Sequence, residues 1–548
     1  MLLDIRPDHL QIVQAILQKH VPQYAVWAFG SRAKWTAKDY SDLDLCVVAN
    51  KPLSFSLLGA IAEDFSDSDL PWKVDVVDWA TTSEGFRKII GRDKVVVQKA
   101  GEAGRSEWGN ESTIGQLVAD FGGSIKTGPF GTVLKASEYV SEGVPLISVR
   151  EIGHGSFHID SKTPRVSPET TTRLSEYLLE AGDIVFARKG GIERCSLVRK
   201  AQAGWFLGSD GIRLRPPKNC DARFLAYSLQ TQAVKDWLTQ HSTGSTMASL
   251  NQATIARLPI CIPAIDEQRK IAGCLEALDD RITLLRETNA TLEAIAQALF
   301  KSWFVNFDPV HAKQQGRAPE GMDEATAALL PDSFEESELG WMPKGWRTCP
   351  IYDLATYING AAYKAFESNS ERHGLPIIKI AELKSGVTSQ TAYSDVAMPQ
   401  KYRIETGDIL FSWSGNPDTS IDTFVWHHSQ AWLNQHIFRV LPHATEERSF
   451  VLQMLKHLRP VFAELARNKQ TTGLGHVTVA DMKRLHVILP DKAALDLFNE
   501  TVSPIHERVF ENEKQAQTLA TLRDTLLPRL ISGQLRLPEA EAMAAEAL

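Results

Sequence analysis

Asp42 and Asp44 stand two residues apart in the stretch "SDLDLCVV" (41–48). Alternation along an extended strand puts both carboxylates on one face, where they can hold a divalent cation. An apolar run from Tyr24 to Phe29 ends in Gly30-Ser31, and ten residues separate Ser31 from Asp42. A Gly-Ser strand-to-helix turn suits triphosphate oxygens, so Gly30, Ser31 and the adjoining Arg32 are the expected nucleotide contacts. A further strand, "KVDVVDW" (73–79), offers Asp75 as a third carboxylate, while Asp78 falls on the opposite face from Asp75. Asp42, Asp44 and Asp75 are therefore the expected metal ligands and catalytic carboxylates, Asp78 being the runner-up for the third place.

These residues need only a small sheet to hold them, and most of the chain lies beyond it. At 548 residues the protein exceeds the roughly 250–300 at which one hydrophobic core stops growing. Apolar residues make up 43% and charged residues 23%, an ordinary globular balance. No apolar run nears the ~20 residues of a membrane span. Asp4, Arg6 and Asp8 interrupt the opening residues, which predicts no secretory leader there. The six cysteines are scattered without a C-x-x-C spacing and are expected as reduced thiols of a cytoplasmic protein. A net charge of −8 argues against a nucleic-acid partner only if it is evenly spread. It is not: residues 311–340 hold seven acids against Lys313 and Arg317, and Glu539, Glu541 and Glu546 follow Pro538. The remainder is balanced and can carry local basic patches.

A long repeat fills that remainder. "EAGDIVFARKGG" (180–191) returns as "ETGDILFSWSGN" (405–416), "IARLPICIP" (255–263) as "MKRLHVILP" (482–490), and "TLEAIAQALF" (291–300) as "TLATLRDTLL" (518–527). A unit of about 200 residues present twice is too long for a solenoid and reads as a duplicated domain. Each copy ends in a heptad pattern. In the first, Ile271, Leu275, Leu278, Ile282 and Leu285 lead through Asn289 to Leu292, Ala296, Leu299 and Trp303. In the second, Phe498, Val502, Ile505 and Val509 lead through Asn512 to Ala516, Leu519, Leu526 and Leu530, with Pro504 and Arg523 weakening the pattern. Two long helices pairing antiparallel are expected, each near 55 Å at about 1.5 Å per residue.

The globular parts carry polar loops rich in glycine, which lets backbone amides approach phosphate closely. In the first copy Lys126, Arg150, Arg188, Lys189 and Arg194 lie beside glycines. In the second, "LFSWSGN" (410–416) brings Ser412 and Ser414, and "AWLNQHIF" (431–438) brings Asn434 and Gln435 as bidentate readers of adenine. All nine are expected DNA contacts.

Residues 106–537 resemble the specificity subunit of type I restriction–modification enzymes. The likeness is carried by "LEAGDIVFARKGGIERCSLV", by the helix opening Pro263, Glu267, Gln268, Ile271 and by the C-terminal "TLLPRLISGQL". The resemblance implies two target-recognition domains that each read half of a bipartite double-stranded DNA site. It also implies helices that act as a ruler and dock methyltransferase subunits. Restriction and translocation would belong to further partner subunits, with S-adenosylmethionine and ATP used only by the partners; the chain itself has no N-P-P-aromatic or G-x-x-x-x-G-K-[ST] motif. The N-terminal stretch resembles minimal nucleotidyltransferases of the polymerase-β-like superfamily, including antitoxins that adenylylate a partner protein. That likeness implies Mg2+ and a nucleoside triphosphate, ATP being the expected one, although Trp35 stands where many of those proteins have glycine.

The expected fold is multidomain α/β and α+β. It comprises a nucleotidyltransferase-like domain (1–105), recognition domains (106–265 and 344–492), coiled-coil helices (266–310 and 493–537), an acidic linker (311–343) and an acidic tail (538–548). Two rival readings are a nucleotidyltransferase whose repeats merely select its target, and an adaptor that binds proteins and touches no DNA. Adding one heptad within 281–299 and the matching one within 508–526 keeps the seam but separates the modules by about 10 Å. Methylome sequencing of a host carrying that variant is expected to show a spacer about three base pairs longer, at ~3.4 Å per pair, between unchanged half-sites. An unchanged spacer in an active complex would refute the ruler.

Overall fold

The computed structural model describes residues 3–22, 24–38, 41–49, 53, 55–82, 84–98, 111–131, 133–244, 248–470 and 473–547. Residues 99–110, most of the stretch "KAGEAGRSEWGNES" (99–112) expected to link the N-terminal domain to the repeat, lie outside them. The chain divides into two compact units, Met1–Glu276 with Asp524–Glu546, and Ala277–Arg523.

In the first unit the N-terminal residues form one four-stranded sheet. Its strands are β1 (Ala25–Phe29), β2 (Leu43–Val48), β3 (Val74–Asp78) and β4 (Val95–Gln98), in the order β3-β2-β1-β4. β2 and β3 run parallel and the other pairs antiparallel. Helix α1 (Pro7–His20) opens on a proline, whose missing N–H costs nothing at a helix start. Its Val13 and Leu17, one turn apart, are fully buried in a core with Val26, Ala28, Leu43, Leu45 and Val47.

Each repeat builds the same antiparallel sheet. In the first copy the order is Cys195–Leu197, Ile184–Ala187, Gly211–Arg215, Ser124–Thr127. In the second it is Asp422–Val425, Ile409–Ser412, Ile437–Pro442, Ala355–Asn359. The repeated Gly-Asp-Ile explains the start of the central strand. Gly182 and Gly407 sit at φ 94° and 92°, a left-handed turn that glycine adopts without strain. Asp183 then accepts from the Glu180 backbone N–H at 2.8 Å and from both Arg215 nitrogens at 2.8 and 2.9 Å. Asp408 likewise accepts from Glu405 N–H at 2.6 Å and from Arg439 Nη2 at 3.1 Å, although by register Arg439 stands at the place of Arg213, one of two strand arginines near Asp183. The phrase recurs because it is a turn that starts a strand.

The long helices are Ile265–Phe304 and Lys492–Ile531. In the second unit they run antiparallel, because Asp279 meets Arg523 at 2.6 Å while Asn289 meets Asn512 at 2.9 Å: as one number rises the other falls. Ile282, Leu285, Val509, Ala516 and Leu519 are buried along the seam. The second helix runs unbroken through exposed Pro504, and Arg523 forms an ion pair with Asp279.

Both segments named for their acidity hold regular structure. The stretch 311–343 is folded: helices Asp308–Gln314 and Glu324–Ala328 precede a hairpin of Phe334–Ser337 with Gly340–Pro343. Ala327 and Met342 are buried, Lys313 Nζ donates to the Ala327 carbonyl at 2.8 Å, and Leu330 joins the hydrophobic core that includes Phe304 and Trp346. The acidic tail likewise forms the helix Leu537–Ala547, anchored by buried Ala540 and Ala544.

The Asn289 Nδ2 also donates to the Val509 carbonyl at 3.1 Å, so its amide is held from two sides. Asn512→Leu strands the Asn289 carbonyl oxygen and is expected to lower stability by about 1–3 kcal/mol. Leucine at both positions is expected to recover most of that loss. Denaturant unfolding of the two variants measures the difference.

Candidate functional site

β1 delivers Gly30 at φ 78°, and β2 sets Asp44 directly opposite Phe29. A Cβ on Gly30 would collide with the Asp44 carboxylate, so the glycine leaves room for that side chain as well as for the turn. The parallel register of β2 and β3 puts Asp75 beside Asp44, and exposed Asp42 immediately precedes β2. The three acids crowd one edge of the sheet. Burial, then the charges of Asp75 and Asp42, push the Asp44 carboxyl above its usual range. Lys73 offsets part of this charge, reaching Asp75 at 2.5 Å.

Crowded like charges of this kind suit a divalent cation, and Asp42, Asp44 and Asp75 are the residues that would hold it. Among the described residues no three His, Cys, Asp or Glu side chains already enclose a common point for an ion. The acids are therefore neighbours at strand ends without being a closed ligand cage. Asp78 is occupied elsewhere: it accepts from the backbone of Leu53 at 2.7 Å and of Ala80 at 2.8 Å, capping the turn after β3. Ser31 is half-buried in the short helical turn Gly30–Ala33. Arg32 is a correction. It is buried, donates to the carbonyls of Ser41 at 2.8 Å and Asp4 at 3.0 Å, and lies over the Trp72 ring, so it staples the fold instead of facing a phosphate. Trp35 takes φ 60°, a conformation glycine reaches far more easily.

The expected DNA contacts separate into two groups. Lys126 is paired with Glu176 at 2.5 Å and covers the Tyr177 ring; Arg150 is paired with Asp160. Arg194 folds back on the carbonyls of Ile152 at 3.0 Å and Gly190 at 2.9 Å. Ser412, Ser414 and Asn434 are buried, which corrects their reading as base contacts: their side chains hold the module's interior. Arg188, stacked over exposed Phe130, and exposed Lys189 remain at the surface, as does half-buried Gln435. The sequence reading missed a ring cluster in the second copy. Trp413 lies 5.7 Å from His436 and 5.9 Å from His476, and its indole N–H donates to Asn359 Oδ1 at 3.1 Å. The signal for it was present, since Trp413 occupies the place of Arg188 in the repeated phrase.

Comparison with known proteins matches the family described as type I restriction modification DNA specificity domain twice, at residues 129–294 and 343–520. The family described as polymerase beta, nucleotidyltransferase matches residues 11–102. The MjaIX type I restriction enzyme specificity subunit of Methanocaldococcus jannaschii is 24% identical over 412 residues, covering 74% of this chain and 90% of its own length. A probable protein adenylyltransferase of Haemophilus influenzae, MntA, is 57% identical over 97 residues, covering 18% of this chain and 85% of its own. A crystal structure of the type I restriction–modification S subunit from M. genitalium aligns over 77% of this chain and 95% of its own, with 17% identity and a TM-score of 0.43. Among the described residues no helix is long and apolar enough to cross a membrane.

The raised Asp44 carboxyl has a consequence for stability. A folded-state value above the unfolded one favours folding at low pH, and that contribution is lost as pH rises through the folded value. Asp44→Asn removes the repulsion at neutral pH. Hydrogen exchange in metal-free buffer is expected to show greater amide protection in β2 for the variant at pH 7, with the gain shrinking as pH falls toward the ordinary aspartate range.

Proposed function

We propose, because the chain belongs to the type I restriction–modification DNA specificity family, that it selects a bipartite duplex site for methyltransferase and restriction–translocase subunits. Residues 106–265 and 344–492 each read one half-site. The helical segments 266–310 and 493–537 set the spacing and dock the methyltransferase, which supplies S-adenosylmethionine chemistry; the translocase uses ATP. The observation that carries this reading is the duplicated sheet with its Gly-Asp turn, one framework presenting different side chains at its strand ends. The six free cysteines fit the cytoplasm, where thiols stay reduced.

The chain also carries a nucleotidyltransferase-family domain at its N-terminus. We infer that residues 1–105 bind a nucleoside triphosphate, ATP in the first instance, and transfer its nucleotidyl group to a partner. Magnesium, when bound, would neutralise triphosphate charge there. Asp44 and Asp75 would orient the ion from adjacent strands, Asp42 would complete its ligands from the exposed edge, and the Gly30–Ser31 turn would admit the phosphates without a side-chain clash.

The two activities use separate residues, and one purified complex tests both. Asp42→Asn with Asp44→Asn is expected to abolish magnesium-dependent nucleotide binding while methyl incorporation into the cognate duplex stays within about two-fold of the unmutated complex. Methylation that collapses in a folded, assembled variant would make the N-terminal domain part of the DNA machinery. Absence of nucleotide binding in the unmutated complex would withdraw the transferase reading alone.

A further inference from the structure

The internal duplication identifies equivalent places in the two modules by backbone bonding alone. Arg188 N donates to the Asp210 carbonyl at 2.8 Å, and the Arg188 carbonyl accepts from Leu250 N at 2.8 Å. Trp413 N donates to the His436 carbonyl at 3.4 Å, and the Trp413 carbonyl accepts from Val477 N at 2.8 Å. The next residue bridges antiparallel in both copies, Lys189 to Ser249 and Ser414 to His476. Arg188 therefore corresponds to Trp413, Asp210 to His436 and Ser249 to His476.

At these places the frame is preserved and the side chains are not. Inside the sheets the same strand partners stay apolar, Phe186 opposite Ile212 and Phe411 opposite Phe438. At the strand end, one copy presents the Arg188 guanidinium over Phe130 with exposed Lys189 beside it. The other presents three rings: the Trp413 indole tied to Asn359, His436, and His476 held through Nδ1 by Ser414 Oγ at 2.9 Å. Gln435 Nε2 lies 3.3 Å from His436 Nε2 and, as donor, leaves the neutral ring's proton on Nδ1. That Nδ1 is buried without a protein partner. Ser412 Oγ, one residue before Trp413, is likewise buried without a protein partner, and unpaired polar atoms at one strand end call for an outside ligand or water.

We propose that this strand-end address holds the base-reading side chains of both modules. In the first, Arg188 reads a guanine edge, with Lys189 on the neighbouring phosphate. In the second, Trp413, His436 and His476 read by ring packing and a hydrogen bond. The assignment rests on the bipartite-site reading above. It assigns residues that the match to the family does not, and it moves the second module's contacts from Ser412, Ser414 and Asn434 to the rings.

The test uses the full chain assembled with its methyltransferase subunits and a library of duplexes randomised separately in each half-site. Arg188→Ala is expected to reduce base discrimination in one half-site about ten-fold or more at one position and leave the other half-site unchanged. His436→Ala and Trp413→Ala are expected to do the reverse. The salt dependence of binding should weaken for Lys189→Ala and stay the same for Trp413→Ala. Trp413→Phe keeps a ring but loses the bond to Asn359, and it is read by the same criteria should Trp413→Ala not assemble. Unchanged preferences in both half-sites for assembled Arg188→Ala and His436→Ala complexes would overturn the assignment while leaving the bipartite reading intact. No bipartite preference in the unmutated complex would overturn both.

Discussion

Asp183 is almost wholly buried, at 1% exposure, and carries a charge. An unpaired carboxylate in such a place would cost several kcal/mol. It is tolerated because the Glu180 N–H and the Arg215 fork converge on it, and Asp408 is met by Glu405 N–H and by an arginine from a neighbouring place on the same strand, Arg439. That convergence fixes where the central strand begins, and its length of four residues in each copy fixes where it ends. Everything displayed at the far end inherits its position from this ion pair. The glycine before each aspartate completes the constraint, since a side chain at φ near 90° would strain the turn.

What could be read in the sequence was whatever is encoded locally or by period. The heptad seam was legible because the burial of Ile282, Leu285, Ala516 and Leu519 follows from spacing alone. Alternation separated Asp75 from Asp78, and the register of β2 and β3 does place Asp75 beside Asp44. What escaped depends on distant chain. Arg32, next to Gly-Ser, has the look of a phosphate ligand, but its partners are carbonyls of Asp4 and Ser41 that no local pattern announces. Ser412 and Asn434 read as surface because they are polar, yet they stand inside a tightly packed module where small polar side chains fill space. The acids of 311–343 concealed a few apolar residues, Leu330 among them, that dock on the core of the second unit.

The N-terminal site inverts the logic of the repeat. There a buried charge is matched by protein groups; here Asp44 is only partly relieved, and its neighbours Asp42 and Asp75 add to its burden. The proposed cation site rests on this unrelieved repulsion among Asp42, Asp44 and Asp75. Lys73 supplies a single compensating charge, and it is exposed, so the compensation is weak.

These contrasting electrostatics explain why net charge says little about this protein's partners. The −8 is an average over places with opposite needs. Phosphate contact wants cations at the surface, which the first module has in Arg188 and Lys189; the second offers aromatic and imidazole rings at the same address. Two modules on one frame can therefore differ in how strongly they depend on ionic strength while remaining alike in strand order and turn. At the strand ends themselves, contacts made by Arg188 and Lys189 would weaken with salt, whereas ring contacts at Trp413 would be screened far less. Duplication followed by divergence at strand ends thus changes the type of interaction as well as the sequence read, and it does so without touching the buried Asp–Arg pairs that hold each frame together.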